Sequence, residues 1–383
     1  MDQWKEYQYG DIVTIKSSRI NPEKHSGIKC IELEHISQGS GEILGWIEVS
    51  EQKSTKNVFE SGQVLFGKLR PYLRKFAQPN FDGVCSSEIW VMNSKCNVLM
   101  NDYLYFIVQS NQFIDLANNS TGSKMPRADW SYIQEKTTKI PSLFEQTKIV
   151  EILSTWDEAL TTVDQLIRYA EEEYIALANR LLTQKNRFSL FKKDWSDVKF
   201  GEIVKEVSEK TVEHNQHPVL TSSRKGIFLQ EEYFQKSVSS KDNTGYKIIK
   251  KGQFTFRAMS DDGAFKFNRL EEHEIGIVSP AYSVFKAINI EPRFLNIYMN
   301  SHIFTREIGK ASQGGTRLSL KFNALAQFTL RIPNNEEQIM ISDACEVFQK
   351  KRELLLSYRE QLFIQKQGLL AQLLTGRLRV AVS

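Results

Sequence analysis

Ile140-Pro141-Ser142-Leu143-Phe144-Glu145-Gln146 opens a run whose apolar residues then fall at Ile149, Leu153, Trp156, Leu160, Val163, Ile167, Ala170, Tyr174, Leu177 and Leu181. The steps alternate four and three, a heptad seam that predicts one long helix with a partner along its length. Pro141 and Ser142 suit a helix start, and no proline or glycine interrupts the run. The segment occurs a second time: Ile332-Pro333 is followed by Glu337-Gln338, at an offset of 192. A second seam then runs through Ile341, Cys345, Phe348, Leu355, Tyr358, Leu362, Leu369 and Leu373, with Gly376 as a stop. It is rougher, with Lys351, Arg352 and Gln365 near seam positions. Each helix should run about 40 residues, or about 60 Å. The expected partner of each is the other, in an antiparallel pair that would hold two globular modules at opposite ends; the alternative is that each helix packs back on its own domain.

Working outward, the duplication covers almost the whole chain. Trp4-x5-Gly10-Asp11-Ile12-Val13 recurs as Trp195-x5-Gly201-Glu202-Ile203-Val204, an offset of 191. Gly62-Gln63-x2-Phe66 recurs as Gly252-Gln253-x2-Phe256 at 190, and Leu181-Leu182-Thr183 as Leu373-Leu374-Thr375 at 192. This period is too long for a solenoid unit, so each copy should be a domain. Residues between the markers have diverged, which suggests one scaffold carrying two different binding surfaces.

Each copy reads as strand-rich before its long helix. Gln63–Phe66 and Ser87–Met92 are predicted strands, with Gln253–Phe256 and Ile275–Val278 in the equivalent places. Tyr103–Ala117 and Phe294–Ile308 have the spacing of amphipathic helices. The expected class is α+β: two tandem α/β domains at 1–141 and 186–333, and helix-bearing segments at 142–185 and 334–383, related by a pseudo-twofold internal repeat.

The 383 residues suit about two domains, and 41 % apolar with 25 % charged residues is a globular profile. No apolar run reaches the roughly 18 residues of a membrane span, and the acidic N-terminus lacks a signal-like apolar core. A cytoplasmic protein without membrane association is expected. Cys30, Cys85, Cys96 and Cys345 are scattered without metal-ligand spacing and read as reduced thiols. His214 and His217 have no second ligand pair near them and read as loop residues. A net charge of +4 alone leaves function open.

Catalytic motifs are missing. Ser279-Pro280-Ala281-Tyr282 is one residue from a base-gripping methyltransferase loop, but no glycine-rich cofactor loop accompanies it, and its place opposite Cys85-Ser86-Ser87-Glu88 predicts a strand-edge turn. No phosphate-binding G-x-x-x-x-G-K-[ST] loop exists. A nuclease reading of Asp82 and Glu88 fails because Trp90 stands where lysine is needed, and Asp261-Asp262 has no third ligand. The chain is therefore expected to be non-catalytic, binding no cofactor or metal itself.

The basic stretches point to DNA. Lys68, Arg70, Arg74 and Lys75, with Tyr72 among them, follow a predicted strand, where cations could neutralise phosphates and arginines reach guanine edges. Arg257, Lys266 and Arg269 occupy the corresponding region of copy two. Thr121-Gly122-Ser123-Lys124 with Arg127 matches Gln313-Gly314-Gly315-Thr316-Arg317 with Lys321, a loop that could hold a phosphate or simply turn the chain. Thr221–Gly226, with Arg224 and Lys225, is a similar candidate in copy two alone. Ser123, Lys124, Thr316 and Arg317 complete the candidate DNA contacts.

Together, the W-x5-G-(D/E)-I starts, the G-Q-x2-F strands, the glycine loops and the I-P-x-x-x-E-Q helix start resemble the specificity subunit of type I restriction-modification systems over essentially the full length. The resemblance implies two target-recognition domains, each reading half of a bipartite, asymmetric site on double-stranded DNA. It implies paired helices that set the gap between half-sites and dock two modification subunits. Those partners would bind S-adenosylmethionine and methylate adenine, while restriction subunits would use ATP and Mg. Asn334-Asn335-Glu336 departs from the usual apolar residues there and puts the docking of the second helix in question. The rival readings are a stand-alone enzyme, for which the motifs are missing, and a coiled-coil scaffold that binds only protein.

Overall fold

The computed structural model describes residues 3–119, 125–234, 242–260, 263, 265–311 and 318–380. The chain divides into two compact units, Met1–Gln165 with Leu356–Ser383, and Leu166–Leu355. Both long helices form as expected, Leu143–Leu182 and Asn335–Leu374, each of 40 residues.

In the first unit, a four-stranded sheet has the spatial order Val13–Thr14, Ile89–Ser94, Val64–Gly67, Phe76–Ala77. Its aromatic side, with Phe66 stacked on Trp90, packs against two helices, Asn101–Gln109 and Asn111–Asn118. A five-stranded sheet adds Arg19–Ile20, Lys56–Phe59, Gly83–Cys85, Lys29–Ile31 and Ile47–Glu48. The core includes Ile149 and Leu153 from the first long helix and Leu370 and Leu373 from the second. Each such side chain, fully buried, contributes about 1.5–3 kcal/mol.

The second unit repeats this plan. Val204–Glu206, Tyr282–Ala287, Phe254–Arg257 and Asn268–Arg269 form its four-stranded sheet, with Phe254 stacked on Phe285. Its core takes Ala178, Leu181 and Leu182 from the first long helix and Ile341 and Cys345 from the second. The expected equivalence of Ile275–Val278 with Ser87–Met92 is off by one strand. Ile275–Val278 pairs with Lys247–Lys250, as Gly83–Cys85 pairs with Lys56–Phe59, whereas the central strand opposite Phe254–Arg257 is Tyr282–Ala287. Val278 and the strand after it are both apolar, so periodicity alone could not separate them. The two expected amphipathic helices are each broken. Ser110 and Ser301 accept hydrogen bonds from the Phe113 and Phe304 N–H groups, capping a second helix where a continuous one was expected.

The repeat markers are structural. Gly10 donates its N–H to the Gln134 carbonyl, and a Cβ there would lie 3.0 Å from that oxygen; Gly201 meets Ala326 in the same way at 3.2 Å. Gly62 and Gly252 hold φ near +81° and +82°, turns before a strand, and the next glutamines accept from the N–H groups of Glu60 and Lys250. Gln146 donates to the Val98 and Pro141 carbonyls and accepts from Met100 N–H; Gln338 donates to Pro333 and accepts from Glu291.

The glutamates before them are clamps. Glu145, almost fully buried, accepts from Trp4 Nε1 at 3.1 Å and from Arg379 at 2.7 and 2.9 Å. Glu337 accepts from Arg187 twice, at 2.9 Å. Asn334, read as a weak point, instead accepts from Glu337 N–H at 2.9 Å and caps the second helix, as Ser142 caps the first. Both helices end on a left-handed residue: Gly376 at φ 69° and Gln184 at φ 60°.

The two helices pair antiparallel in each unit. In the first, Asp157 meets Lys366 and Asp164 meets Arg359; in the second, Glu171 meets Arg352, Glu173 meets Lys351 and Tyr174 meets Gln349. Lys351 and Arg352 are thus ion-paired rather than misplaced in the seam. Tyr358, assigned to the seam by spacing, is 52 % exposed, and the adjacent Arg359 faces the partner helix. Gln365 is exposed, while Lys366 is 1 % exposed.

Candidate nucleic-acid interface

The strand Val64–Gly67 runs on into Lys68–Arg70, which folds against Pro126–Ala128. Ala128 N–H donates to the Lys68 carbonyl and Arg70 N–H to the Pro126 carbonyl, each at 2.8 Å. Two basic stretches far apart in sequence are thereby joined. Beyond Arg70 a single 3-10 turn, Pro71–Leu73, is flanked by Arg70 and Arg74 in left-handed conformations, at φ 52° and 49°. Non-glycine residues held there cost about 1–3 kcal/mol each, a strain that clusters at functional sites. The turn presents Tyr72, 50 % exposed.

The six candidates of this region divide sharply. Arg70 and Tyr72 are exposed and Lys68 is half-buried. Arg127 is exposed in part and forms a two-pronged pair with Glu88, at 3.0 and 3.4 Å. Arg74 is taken up by the Gln109 carbonyl and the Asn111 side chain. Lys75 donates to the Leu33 and Ile36 carbonyls at 2.6 and 2.9 Å, and burial holds its pKa below the usual lysine value. Arg74 and Lys75 therefore brace the turn through these hydrogen bonds. The spacing of charges in sequence could not distinguish braces from contacts. Ser123 and Lys124 lie outside the described residues.

The second unit builds the same junction. Arg257 ends its strand exposed; Leu320 N–H donates to the Ala258 carbonyl, and Met259 and Ser260 pair with Ser319 and Leu318. Lys321, exposed, stands at the start of the short helix Phe322–Leu325. Thr316 and Arg317 lie outside the described residues, as do Asp261 and Asp262. Thr221–Gly226, read as a possible phosphate loop, is the turn of a hairpin between Leu220–Ser223 and Gly226–Leu229. Arg224 and Lys225 are exposed at its tip, and Asn268 fastens the hairpin by donating to Ser222 Oγ and the Ser223 carbonyl at 2.7 Å.

Lys266 is exposed, whereas Arg269 is half-buried. Desolvation lowers the Lys266 pKa, and the charges felt there are Glu171 and Arg352 of the long helices. Arg269 is paired with Glu271 at 2.9 Å. Ser279–Tyr282 is the expected turn, closed by Tyr282 N–H on the Ser279 carbonyl. His214 accepts from Asn243 N–H at 3.3 Å in a loop.

One feature was missed by the sequence reading. Trp46, 53 % exposed, carries the Lys29 ammonium 4.2 Å from its ring, with Phe81 beside it. A cation held over an exposed indole is a surface suited to stacking on a base. The only available signal was the glycine density around Leu44 and Trp46.

The family described as the type I restriction modification DNA specificity domain matches residues 1–169. The EcoDI specificity subunit of Escherichia coli is 27 % identical over 44 % of this chain and 36 % of its own length. The MjaVIII specificity subunit of Methanocaldococcus jannaschii is 22 % identical over 78 % of this chain and 75 % of its own. The match thus spans about a third of the first relative and three quarters of the second. A solved structure described under complex assembly and conformational transition of the type I R-M system covers 98 % of both chains, with a TM-score of 0.59 at 18 % identity. The type I restriction-modification S subunit from M. genitalium covers 97 % of this chain and 96 % of its own, with a TM-score of 0.50 at 12 % identity. The type I restriction modification DNA specificity domain thus matches the first copy, and the second copy repeats the same sheet architecture.

Proposed function

We propose that this chain is the DNA sequence-recognition subunit of a type I restriction-modification complex, with residues 1–141 and 186–333 each reading one half of a bipartite, asymmetric site. The observation that carries the reading is the repeated junction. The same backbone pairing presents Lys68, Arg70 and Tyr72 in one copy and Arg257 and Lys321 in the other, so one scaffold offers two chemically different readers. Arginines and lysines that meet phosphates position a duplex, and side chains that reach base edges specify its sequence.

The segments 142–185 and 334–383 set the spacer between half-sites and dock two modification subunits. Exposed apolar residues suit such docking: Leu166, Tyr169 and Val347 on the helices of one unit, Tyr358 and Ile364 on those of the other. S-adenosylmethionine, ATP and Mg chemistry then belong to the modification and restriction subunits, and this chain supplies recognition without catalysis in the cytoplasm. No helix among the described residues is long and apolar enough to cross a membrane. Among them, no group of three or more His, Cys, Asp or Glu side chains is placed to hold a metal.

A salt-titrated gel shift with the modification subunits present tests the reading. Selective binding that weakens steeply with salt is expected. Equal affinity for all sequences would leave the protein-scaffold reading in its place. Lengthening the first helix between Leu160 and Leu182 should widen the spacer without altering either half-sequence.

A further inference from the structure

The charges between the long helices have one polarity. Every interhelix ion pair described places the acid on Leu143–Leu182 and the base on Asn335–Leu374: Asp157 with Lys366 at 2.5 Å, Asp164 with Arg359 at 2.5 Å, Glu171 with Arg352 at 2.7 Å and Glu173 with Lys351 at 2.7 Å. The internal repeat makes this informative. At the offset of 192, the counterparts of Asp157, Asp164, Glu171 and Glu173 are Gln349, Leu356, Phe363 and Gln365. Those of Lys366, Arg359, Arg352 and Lys351 are Tyr174, Ile167, Leu160 and Ala159. None of the eight charges is shared by its copy, although the apolar seam around them is.

The buried pair decides most. Lys366 is 1 % exposed, donates also to Gln109 Oε1 at 2.9 Å, and lies against the Phe106 ring. In the second unit its place is taken by a neutral pair, Tyr174 OH accepting from Gln349 Nε2 at 3.1 Å. If two copies of the first helix paired in the same register, Asp157 would face Tyr174 and Asp164 would face Ile167. Two copies of the second would set Lys366 against Gln349. Either arrangement strands a buried charge without its counter-ion, the costliest defect such a seam can contain.

We propose that this polarity addresses the first long helix to the second and rejects pairing of like halves from different copies of the chain. A duplicated protein with a symmetric seam would assemble like halves as readily as unlike ones. Here one polar layer, charged in one unit and neutral in the other, keeps the product asymmetric. A single polar position specifying the partner of a helix has this logic in coiled coils generally. The inference concerns helix pairing and holds whatever the two modules bind.

The test uses the full chain with a protease site inserted beside the exposed Leu190, between the first helix and Trp195. After cleavage, the two halves are denatured, refolded together, and counted by native mass spectrometry. Unlike pairs should exceed nine in ten. In the same chain carrying Lys351→Gln, Arg352→Gln, Arg359→Gln and Lys366→Gln, like pairs of the first half should rise toward the random share of one half of those molecules. Where refolding gives aggregate, the count is made after exchange in sub-denaturing urea. Random pairing in the chain with its charges intact, or unlike pairs undiminished in the neutralised chain, overturns the proposal.

Discussion

Glu145→Ala should be among the most destabilising single changes outside the apolar core. The Glu145 side chain is 3 % exposed and accepts three hydrogen bonds, two from Arg379 and one from Trp4. Removing one partner of a buried ion pair costs about 3–5 kcal/mol. Arg379 is 24 % exposed and can turn partly to water, which places the loss near the lower end, about 3 kcal/mol. The indole N–H that loses its acceptor adds about 1 kcal/mol. The sum is about 4 kcal/mol, read as a fall in the urea midpoint at unchanged slope. Glu145→Gln keeps an acceptor for Trp4 and the side-chain shape, so it should lose about half as much. The double variant Glu145→Ala, Arg379→Ala should be more stable than Glu145→Ala alone, because no guanidinium is left behind. A loss below about 1 kcal/mol for Glu145→Ala, or strict additivity in the double variant, would refute the clamp.

Further expectations rest on separate observations. Gln184→Gly should raise the melting temperature, because a non-glycine residue in the left-handed region costs about 1–2 kcal/mol and Gln184 sits there at φ 60°; no change would show the strain to be absent. Arg70→Ala should leave the melting temperature unaltered and weaken DNA binding, whereas Lys75→Met should do the reverse. In gel shifts and thermal melts, equal effects of the two on binding would show that Lys75 also faces the duplex. At pH 8 a thiol reagent should label Cys96 first: burial pushes Cys30 and Cys345 up to about 11 and raises Cys85 further still. Rapid labelling of any of those three in the folded chain would contradict their placement.

The long helices were legible because a heptad seam is a statement about burial repeated many times, and occasional errors such as Tyr358 do not destroy it. The repeat markers were legible for a related reason. Gly10, Gly62, Glu145 and Gln146 each answer a backbone or burial constraint that few residue types meet, so both copies retain them. The binding surface was harder to read. Arg74 and Lys75 look in sequence like Lys68 and Arg70, and only their neighbours, the carbonyls of Leu33, Ile36 and Gln109, reveal that they are braces. Lys366 was missed for the opposite reason: a buried lysine has no periodic signature, and its partner Asp157 is 209 residues away. Trp46 belongs to a stretch without regular periodicity, where exposure depends wholly on tertiary packing.

Whether two unlike modules read two halves of one site is decided by selecting bound sequences from a random duplex library. The selection uses the chain together with the modification subunits proposed for it. The unmodified chain should yield one asymmetric motif of two short blocks separated by a fixed gap. Lys68→Ala with Arg70→Ala should relax one block, and Arg224→Ala with Lys225→Ala the other, with the gap unchanged. A single uninterrupted motif, or both blocks relaxing together in either variant, would show that the two modules do not read separate half-sites.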